Sequence, residues 1–307
     1  MGKEGSGVNG NIINLLKTVK SVTFMVTRDS PDFFWWNNRR VSSDHLNYKS
    51  VFYLVLLIII CNSDTQIAVR AFFLGMGMGF GIILSIAGPL SYKVLGWYVI
   101  FLTFFHYSEY LVTAVCNPKT VSLDSFLLNH SVAYGVAMLA SLLEFLLERW
   151  LFPDMKQIWV ISVLGVIICF IGEGLRKSAI ITASTNFNHI VQIDYNDGHQ
   201  LVTWGIYKYC RHPSYVGWFW WSVGTQVILM NPVCTVGFGL ASWTFFRERI
   251  YIEEIMLIKF FGGSYVEYQK KVGTGLPFIT GFQYPQNSKV KRKEDYDDLD
   301  KQIQDNC

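Results

Sequence analysis

Chemistry-bearing side chains crowd into the last third of the chain. His199, Gln200 and Tyr207 are followed by Arg211, His212, Pro213, Ser214 and Tyr215, and further on by Arg249, Glu253 and Glu254. Rings, hydroxyls, guanidiniums and paired carboxylates in one stretch can hold a small molecule that has both charged and aromatic parts. Read singly, each has a plainer explanation. Pro213 suits the first turn of a helix, which makes Ser214 and Tyr215 ordinary first-turn residues. Arg249 and Glu253 lie four apart, the spacing of a common solvated ion pair.

Other polar residues interrupt apolar runs. His106 and Glu109 share one helix face, as do Glu144 and Glu148, while Glu173 and Arg176 close another run. Polar groups at membrane depth need a partner or a task. Interhelical hydrogen bonding accounts for each pair; the sharper alternative is that some line a substrate cavity.

The elements that must position these groups are apolar helices. The chain has 307 residues, of which 51% are hydrophobic and 16% charged, against roughly 25% charged in an average soluble protein. Clear apolar runs cover 50–62, 66–90, 94–115, 126–151, 157–176, 214–230 and 232–248, and a weaker amphipathic one covers 12–28. Runs of about 20 apolar residues are membrane spans. The reading is therefore an all-α, polytopic membrane bundle of about eight transmembrane helices, in which the short 50–62 run forms a hairpin with the first stretch. Gly75 with Gly79, and Gly77 with Gly81, are small-xxx-small pairs that let helices approach closely.

An even span count puts both ends and the polar 178–213 loop on one side. That loop holds Asn186, Asn188, Asp194, Asn196 and Asp197, and is flanked by Arg176, Lys177, Lys208 and Arg211. Basic loops face the cytosol. Arg39 and Arg40 would then face the lumen, so the topology of the first 60 residues stays open. A net charge of +3 gives no reason to invoke nucleic acid. Six cysteines without paired spacing read as free thiols, and no metal-ligand spacing occurs. Lys17 and Lys20 interrupt the first stretch, against a signal peptide. Gln304 stands where a prenylation box needs cysteine, so the chain is not itself expected to be prenylated. The tail from Ser288 alternates basic and acidic residues and is expected to be disordered. The organisation is read as N-terminal membrane helices over 1–65, a transmembrane bundle over 66–177, a catalytic region over 178–282 that includes the last two spans, and a charged tail over 283–307.

Taken together, the C-terminal residues resemble the signature of the isoprenylcysteine carboxyl methyltransferases of the endoplasmic reticulum. The matching segments are His199 to Val202, Gly205 and Tyr207, Arg211 to Gly217, Asn231–Pro232, Arg249 with Glu253 and Glu254, and Pro277–Phe278. Gly273 departs from the family, which often has proline there.

The resemblance implies a methyltransferase that moves a methyl group from S-adenosylmethionine to the free carboxylate of a prenylated C-terminal cysteine on CaaX proteins of the small GTPase type. It nominates Gln192, His199, Gln200, Leu201, Val202, Tyr207, His212, Pro213, Ser214, Tyr215 and Glu253 as the cofactor shell, with no metal. It nominates Arg249 as the catalytic and substrate-binding residue, whose guanidinium fits a carboxylate better than a lysine would. It implies a multi-pass endoplasmic reticulum protein with its active site facing the cytosol, an aqueous mouth for the donor and a lateral gap among membrane lipids for the prenyl chain. Two rival readings keep part of the pattern: a phospholipid-amine methyltransferase, and an NADPH-dependent enzyme like the sterol reductases, which share a His-x-x-Tyr-x-Gly segment.

Overall fold

In the structure, a computed structural model, residues 63–128, 131–193, 195 and 198–283 are described. The expected spans at 12–28 and 50–62, the loop residues Asp194, Asn196 and Asp197, and the tail from Ser288 lie outside them. Seven α-helices and four short 3-10 turns make up the described residues, and no strand occurs among them. The helices are α1 (Ser63–Ala87), α2 (Leu90–Cys116), α3 (Val132–Leu151), α4 (Trp159–Ala183), α5 (Pro213–Leu229), α6 (Pro232–Phe261) and α7 (Gly263–Lys271). By length and composition α1, α2 and α4 can cross a membrane. Their outward faces, with Phe72, Phe80, Ile83, Ile167 and Phe170 exposed, present the apolar surface that hydrocarbon requires.

Breakers set most boundaries. Gly88 and Pro89 separate α1 from α2. The Ser131 hydroxyl accepts from the Tyr134 N–H at 3.1 Å and opens α3. Met230, in the left-handed region at φ 56°, ends α5, and Pro232 opens α6. The sequence reading ended the last span at 248, whereas α6 runs on to Phe261. Nothing between those positions stops a helix, and Gly262, at φ 54°, does. The charged second half of α6 therefore continues the axis of its apolar first half beyond the apolar run.

Close packing of α4 on α5 fixes the entry to the polar loop. A Cβ on Gly217 would come within 2.5 Å of the Gly172 carbonyl oxygen and 2.6 Å of the Arg176 nitrogen. One on Gly165 would strike the backbone of Val227 and Ile228, and one on Gly224 would meet Cys169. The two backbones touch along their length because only hydrogen atoms separate them there. Of the α1 glycines, Gly81 packs on Gly96 and Gly77 on Thr103, while Gly75 and Gly79 have nothing within 4 Å. Phe105 stacks on Trp221 at 3.9 Å between centroids and joins α2 to α5.

The helices alternate in direction, which gathers Glu109, Arg176 and Ser214 at one end and Glu148, Lys156 and Asn231 at the other. Gly217→Leu should force α5 off α4. We expect a loss of stability of about 1–3 kcal/mol or more, read as a lower thermal midpoint in detergent, whereas Gly79→Leu should leave the midpoint nearly unchanged.

Candidate functional site

At the Glu109 end, the residues just before α5 are stitched to the segment that follows α7. The N–H groups of Arg211 and His212 donate to the carbonyls of Gly273 (2.9 Å) and Thr274 (3.2 Å). Proline in place of Gly273 would keep the first of those carbonyls, so that departure from the family is harmless here. The Arg211 guanidinium binds the carbonyls of Val272 and Thr280 and the Glu254 carboxylate, the last at 2.7 Å. Glu254 is fully buried and also accepts from His212 Nε2 (3.1 Å), the Tyr265 hydroxyl (3.2 Å) and the Gln269 amide (3.0 Å). Burial alone would lift its carboxyl, but the hydrogen bonds and charges of His212 and Arg211 hold it below the usual carboxylate range. Glu254 is thus the knot that ties α5, α6 and α7 together.

Glu253, next in sequence, points the other way and keeps a side chain 30% exposed. It accepts from the Tyr215 hydroxyl at 2.5 Å and lies 3.9 Å from His212 Nδ1. The Tyr215 ring lies parallel to His212, with centroids 5.6 Å apart. Glu253 and Tyr215 form one wall of an open cleft between the 186–200 loop and the second half of α6. It holds about 90 Å³ of enclosed space and opens directly to solvent. Amides of Asn186, Asn188, Gln192 and Gln200 and the His199 ring face it from the loop; Met256, Leu257, Phe260 and Phe261 face it from α6. Asn186 closes the loop on itself by accepting the Gln200 N–H at 2.8 Å.

On the far side of Tyr215 lies a smaller nook lined by Arg249, Arg176, Asn188, His189 and Trp218. Arg249 donates from Nε to the Tyr215 hydroxyl at 3.0 Å and from Nη2 to the His189 carbonyl at 2.5 Å. His189 is held in turn, its Nε2 lying 3.0 Å from the Glu109 carboxylate. Glu109 also takes both Nε (2.8 Å) and Nη2 (2.7 Å) of Arg176, and Lys177 at 2.5 Å.

Beyond the nook, an apolar chamber opens among α2, α3, α5 and α6. It holds about 390 Å³ and shares Trp218, Phe245 and Phe246 with the nook, as the nook shares Tyr215 and Asn188 with the cleft. Three spaces thus follow one another: polar, cationic, apolar.

Of the sequence-nominated shell, Gln192, His199, Gln200, Tyr215 and Glu253 line the cleft. Leu201, Val202, Tyr207, His212, Pro213 and Ser214 stand behind it. Leu201 packs with Ile258 and Tyr265, and Val202 with Ile180 and Phe187. Burial raises the Tyr207 phenol, whose carbonyl accepts from Tyr268. The Ser214 carbonyl accepts from Arg176 at 3.3 Å. Asn186, Asn188, Met256 and Phe260 escaped the sequence reading; amides in a polar loop and apolar residues on a helix carry no signal until the two are opposed.

The intramembrane pairs largely serve the fold. His106 lies 2.8 Å from the Phe126 carbonyl and 2.9 Å from the Tyr134 hydroxyl. Glu144 accepts the first N–H groups of α6, from Val233 (2.8 Å) and Cys234 (2.7 Å). Glu148 pairs with Lys156 at 2.6 Å, and Lys156 lies 2.9 Å from the last carbonyls of α5. Glu173 accepts from Ser108 at 2.8 Å. Arg176 alone of the six lines one of the three spaces, the nook. Burial pushes the Cys210 thiol up to about 11, so it is not a nucleophile at neutral pH. Among the described residues no three His, Cys, Asp or Glu side chains are grouped to hold a metal ion.

Residues 163–259 match the model of the isoprenylcysteine carboxyl methyltransferase family. A protein-S-isoprenylcysteine O-methyltransferase of Xenopus laevis is 59% identical over 216 residues, covering 70% of this chain and 75% of that one. The Homo sapiens protein of the same name is 58% identical over 70% of this chain and 76% of its own. A solved structure of a eukaryotic intramembrane Ras methyltransferase, an isoprenylcysteine carboxyl methyltransferase without a monobody, superposes with a TM-score of 0.72 at 41% identity, covering 88% of this chain and 97% of that one. With that identity over three quarters of its relatives' length, the chain is a membrane methyltransferase and belongs to the isoprenylcysteine carboxyl methyltransferase family.

Proposed function

We propose that this protein methylates the α-carboxylate of a prenylated C-terminal cysteine, using S-adenosylmethionine held in the cleft between the 186–200 loop and α6. The observation that carries this reading is the order of the three spaces. A charged, water-soluble donor suits the polar cleft, a carboxylate suits the nook beside Arg249, and a prenyl chain suits the apolar chamber. The lining fits the donor: Glu253 suits ribose hydroxyls or a cationic group, the loop amides suit a purine edge, and Phe260 and Phe261 offer apolar cover.

When bound, S-adenosylmethionine supplies an electrophilic methyl on a sulfonium. The protein needs no general base, because the accepting carboxylate is already ionised at neutral pH. Arg249 holds that carboxylate and aims one oxygen past the edge of Tyr215 into the cleft, while its bonds to Tyr215 and His189 fix the guanidinium. Alignment is the main contribution. Trp218, Phe245 and Phe246 keep water from the nook, and a dry site favours a step in which opposite charges cancel. The product is a neutral ester, which strengthens attachment of the modified protein to the membrane.

Two observations weigh against the rival readings. A phospholipid amine would have to approach the Arg249 guanidinium as a cation or lose a proton first. Among the described residues lining the cleft, the one with a formal charge is Glu253, which repels the phosphates of NADPH.

The same reading places the protein in the endoplasmic reticulum membrane with about eight spans, the cleft on the cytosolic face and small GTPases of the CaaX type as substrates. Arg211, Arg247, Arg249, Lys270 and Lys271 sit at the cleft end of the bundle, in keeping with a basic cytosolic side. Residues 178–282 act as the catalytic region, 66–177 as the supporting bundle, and 1–65 and 283–307 as flanks.

Purified protein in nanodiscs should transfer labelled methyl from S-adenosylmethionine to N-acetyl-S-farnesylcysteine. It should leave phosphatidylethanolamine unlabelled and a sterol plus NADPH unreduced; failure with the farnesylcysteine overturns the reading. Adjacent glutamates should separate function from fold. Glu253→Ala should stay folded and lose S-adenosylhomocysteine binding by calorimetry. Glu254→Ala leaves Arg211 buried without its partner and should cost about 3–5 kcal/mol of stability, seen as a large drop in melting temperature. Arg249→Lys should raise the KM for farnesylcysteine at least tenfold with little change in S-adenosylhomocysteine affinity; an unaltered KM would remove Arg249 from the acceptor site.

A further inference from the structure

The chamber beyond Arg249 has a regular wall. Val233, Gly237, Ala241 and Phe245 recur every fourth residue on one face of α6, and all four line it. Away from the nook the row narrows from an aromatic ring at Phe245 to a methyl at Ala241 and a hydrogen at Gly237, and Val233 closes it with an isopropyl group. Small residues also face the chamber from α3, at Ala133, Ala137 and Ala140. Gly237 is not small because a helix presses on it, for a Cβ built there meets no atom within 4 Å. That distinguishes it from Gly165, Gly172, Gly217 and Gly224, each of which is forced by a touching neighbour. The missing side chain at Gly237 therefore leaves chamber volume empty and serves no packing purpose.

We infer that Gly237 determines how long an isoprenyl chain the site accepts. This rests on the proposed function, since the occupant is the prenyl group of a cysteine whose carboxylate Arg249 holds. Continuity supports that occupant over a membrane lipid, because the chamber opens into the nook through the shared Trp218, Phe245 and Phe246. A lipid tail entering there would bring no carboxylate to Arg249. The scale also agrees. One isoprene unit adds four carbon–carbon bonds of ~1.5 Å, about 5 Å of extended chain, which is about one helical turn of 5.4 Å. Successive turns of α6 therefore act as successive stops. Phe245 flanks the first unit, Ala241 the second and Gly237 the third, which is the last unit of a farnesyl group, so a side chain at Gly237 would leave room for a two-unit geranyl chain alone.

The test compares kcat/KM for S-geranyl and S-farnesyl derivatives of N-acetylcysteine in the wild type, Gly237→Leu, Gly237→Val and Ala241→Leu. Val236→Phe, on the same turn but away from the chamber, serves as the control. We expect the farnesyl-to-geranyl ratio to fall at least tenfold in Gly237→Leu, less in Gly237→Val, and not in Val236→Phe. Ala241→Leu should impair both substrates. S-adenosylhomocysteine affinity, measured in parallel, reports that each variant is folded; should Gly237→Leu fail that check, the ratio in Gly237→Val decides. An unchanged ratio in a folded Gly237 variant, or an equal fall for both substrates, overturns the inference while leaving the proposed function standing. A wild type that methylates neither substrate overturns the proposed function itself.

Discussion

A single carboxylate, fully buried within the bundle, orders the working end of this protein. Glu109 on α2 takes a two-point grip from Arg176 on α4, a third contact from Lys177 and a fourth from the His189 ring in the following loop. Burying a charge is costly unless every bond it can make is made, so these partners have little freedom to wander. The consequences spread outward. Arg176 also reaches the Ser214 carbonyl at the start of α5, and the His189 carbonyl takes a hydrogen bond from Arg249. A charge on the second described helix thereby sets where a guanidinium on the sixth can sit. The value of such a network is in defining one geometry more than in adding stability.

Tyr215 is the joint between the two chemistries. Its hydroxyl accepts from Arg249 and donates to Glu253, so a cation and an anion share one phenol. The cleft and the nook are consequently distinct spaces with a wall one side chain thick. Donor and acceptor can meet only where the two spaces join, beside Tyr215 and Asn188, which line both. The glycine-lined contact of α4 with α5 matters for the same reason, because it sets the height at which Tyr215 stands relative to α6.

Much of this was legible in the sequence. Apolar runs located six of the seven described helices, since a membrane leaves the backbone no alternative to intrahelical hydrogen bonds. They stopped at 176 and 248, where α4 and α6 run on to Ala183 and Phe261, and no run marked α7. The nearness of the His212 segment to the Arg249–Glu253 segment followed from a resemblance, and composition alone would not have shown it. What escaped was everything that depends on opposition. Glu253 and Glu254 are adjacent and chemically identical, yet one faces the cleft and the other is sealed in the interior, because neighbours on a helix point about 100° apart. Sequence nominates His212 for the cofactor shell but does not show that its ring braces Glu254 and stacks on Tyr215. Met256 and Phe260 looked like ordinary helix residues until the 186–200 loop lay across them.

The two ends of the bundle show why the chemistry sits where it does. At the Lys156 end, Glu144 satisfies the first amides of α6, and Lys156 satisfies the last carbonyls of α5. Helix termini leave such groups unpaired, and α5, at 17 residues, is only about 25 Å long, short of the ~30 Å hydrocarbon core. The polar side chains at its C-terminus are consumed in finishing backbone. At the Glu109 end the helices continue into an ordered loop and a long charged extension of α6, so the structural demands are met by Glu109, Arg211 and Glu254 while Glu253, Gln192, Gln200 and Arg249 still face open space. Polar residues are scarce in such a protein, and a site arises only where more of them are present than the backbone needs.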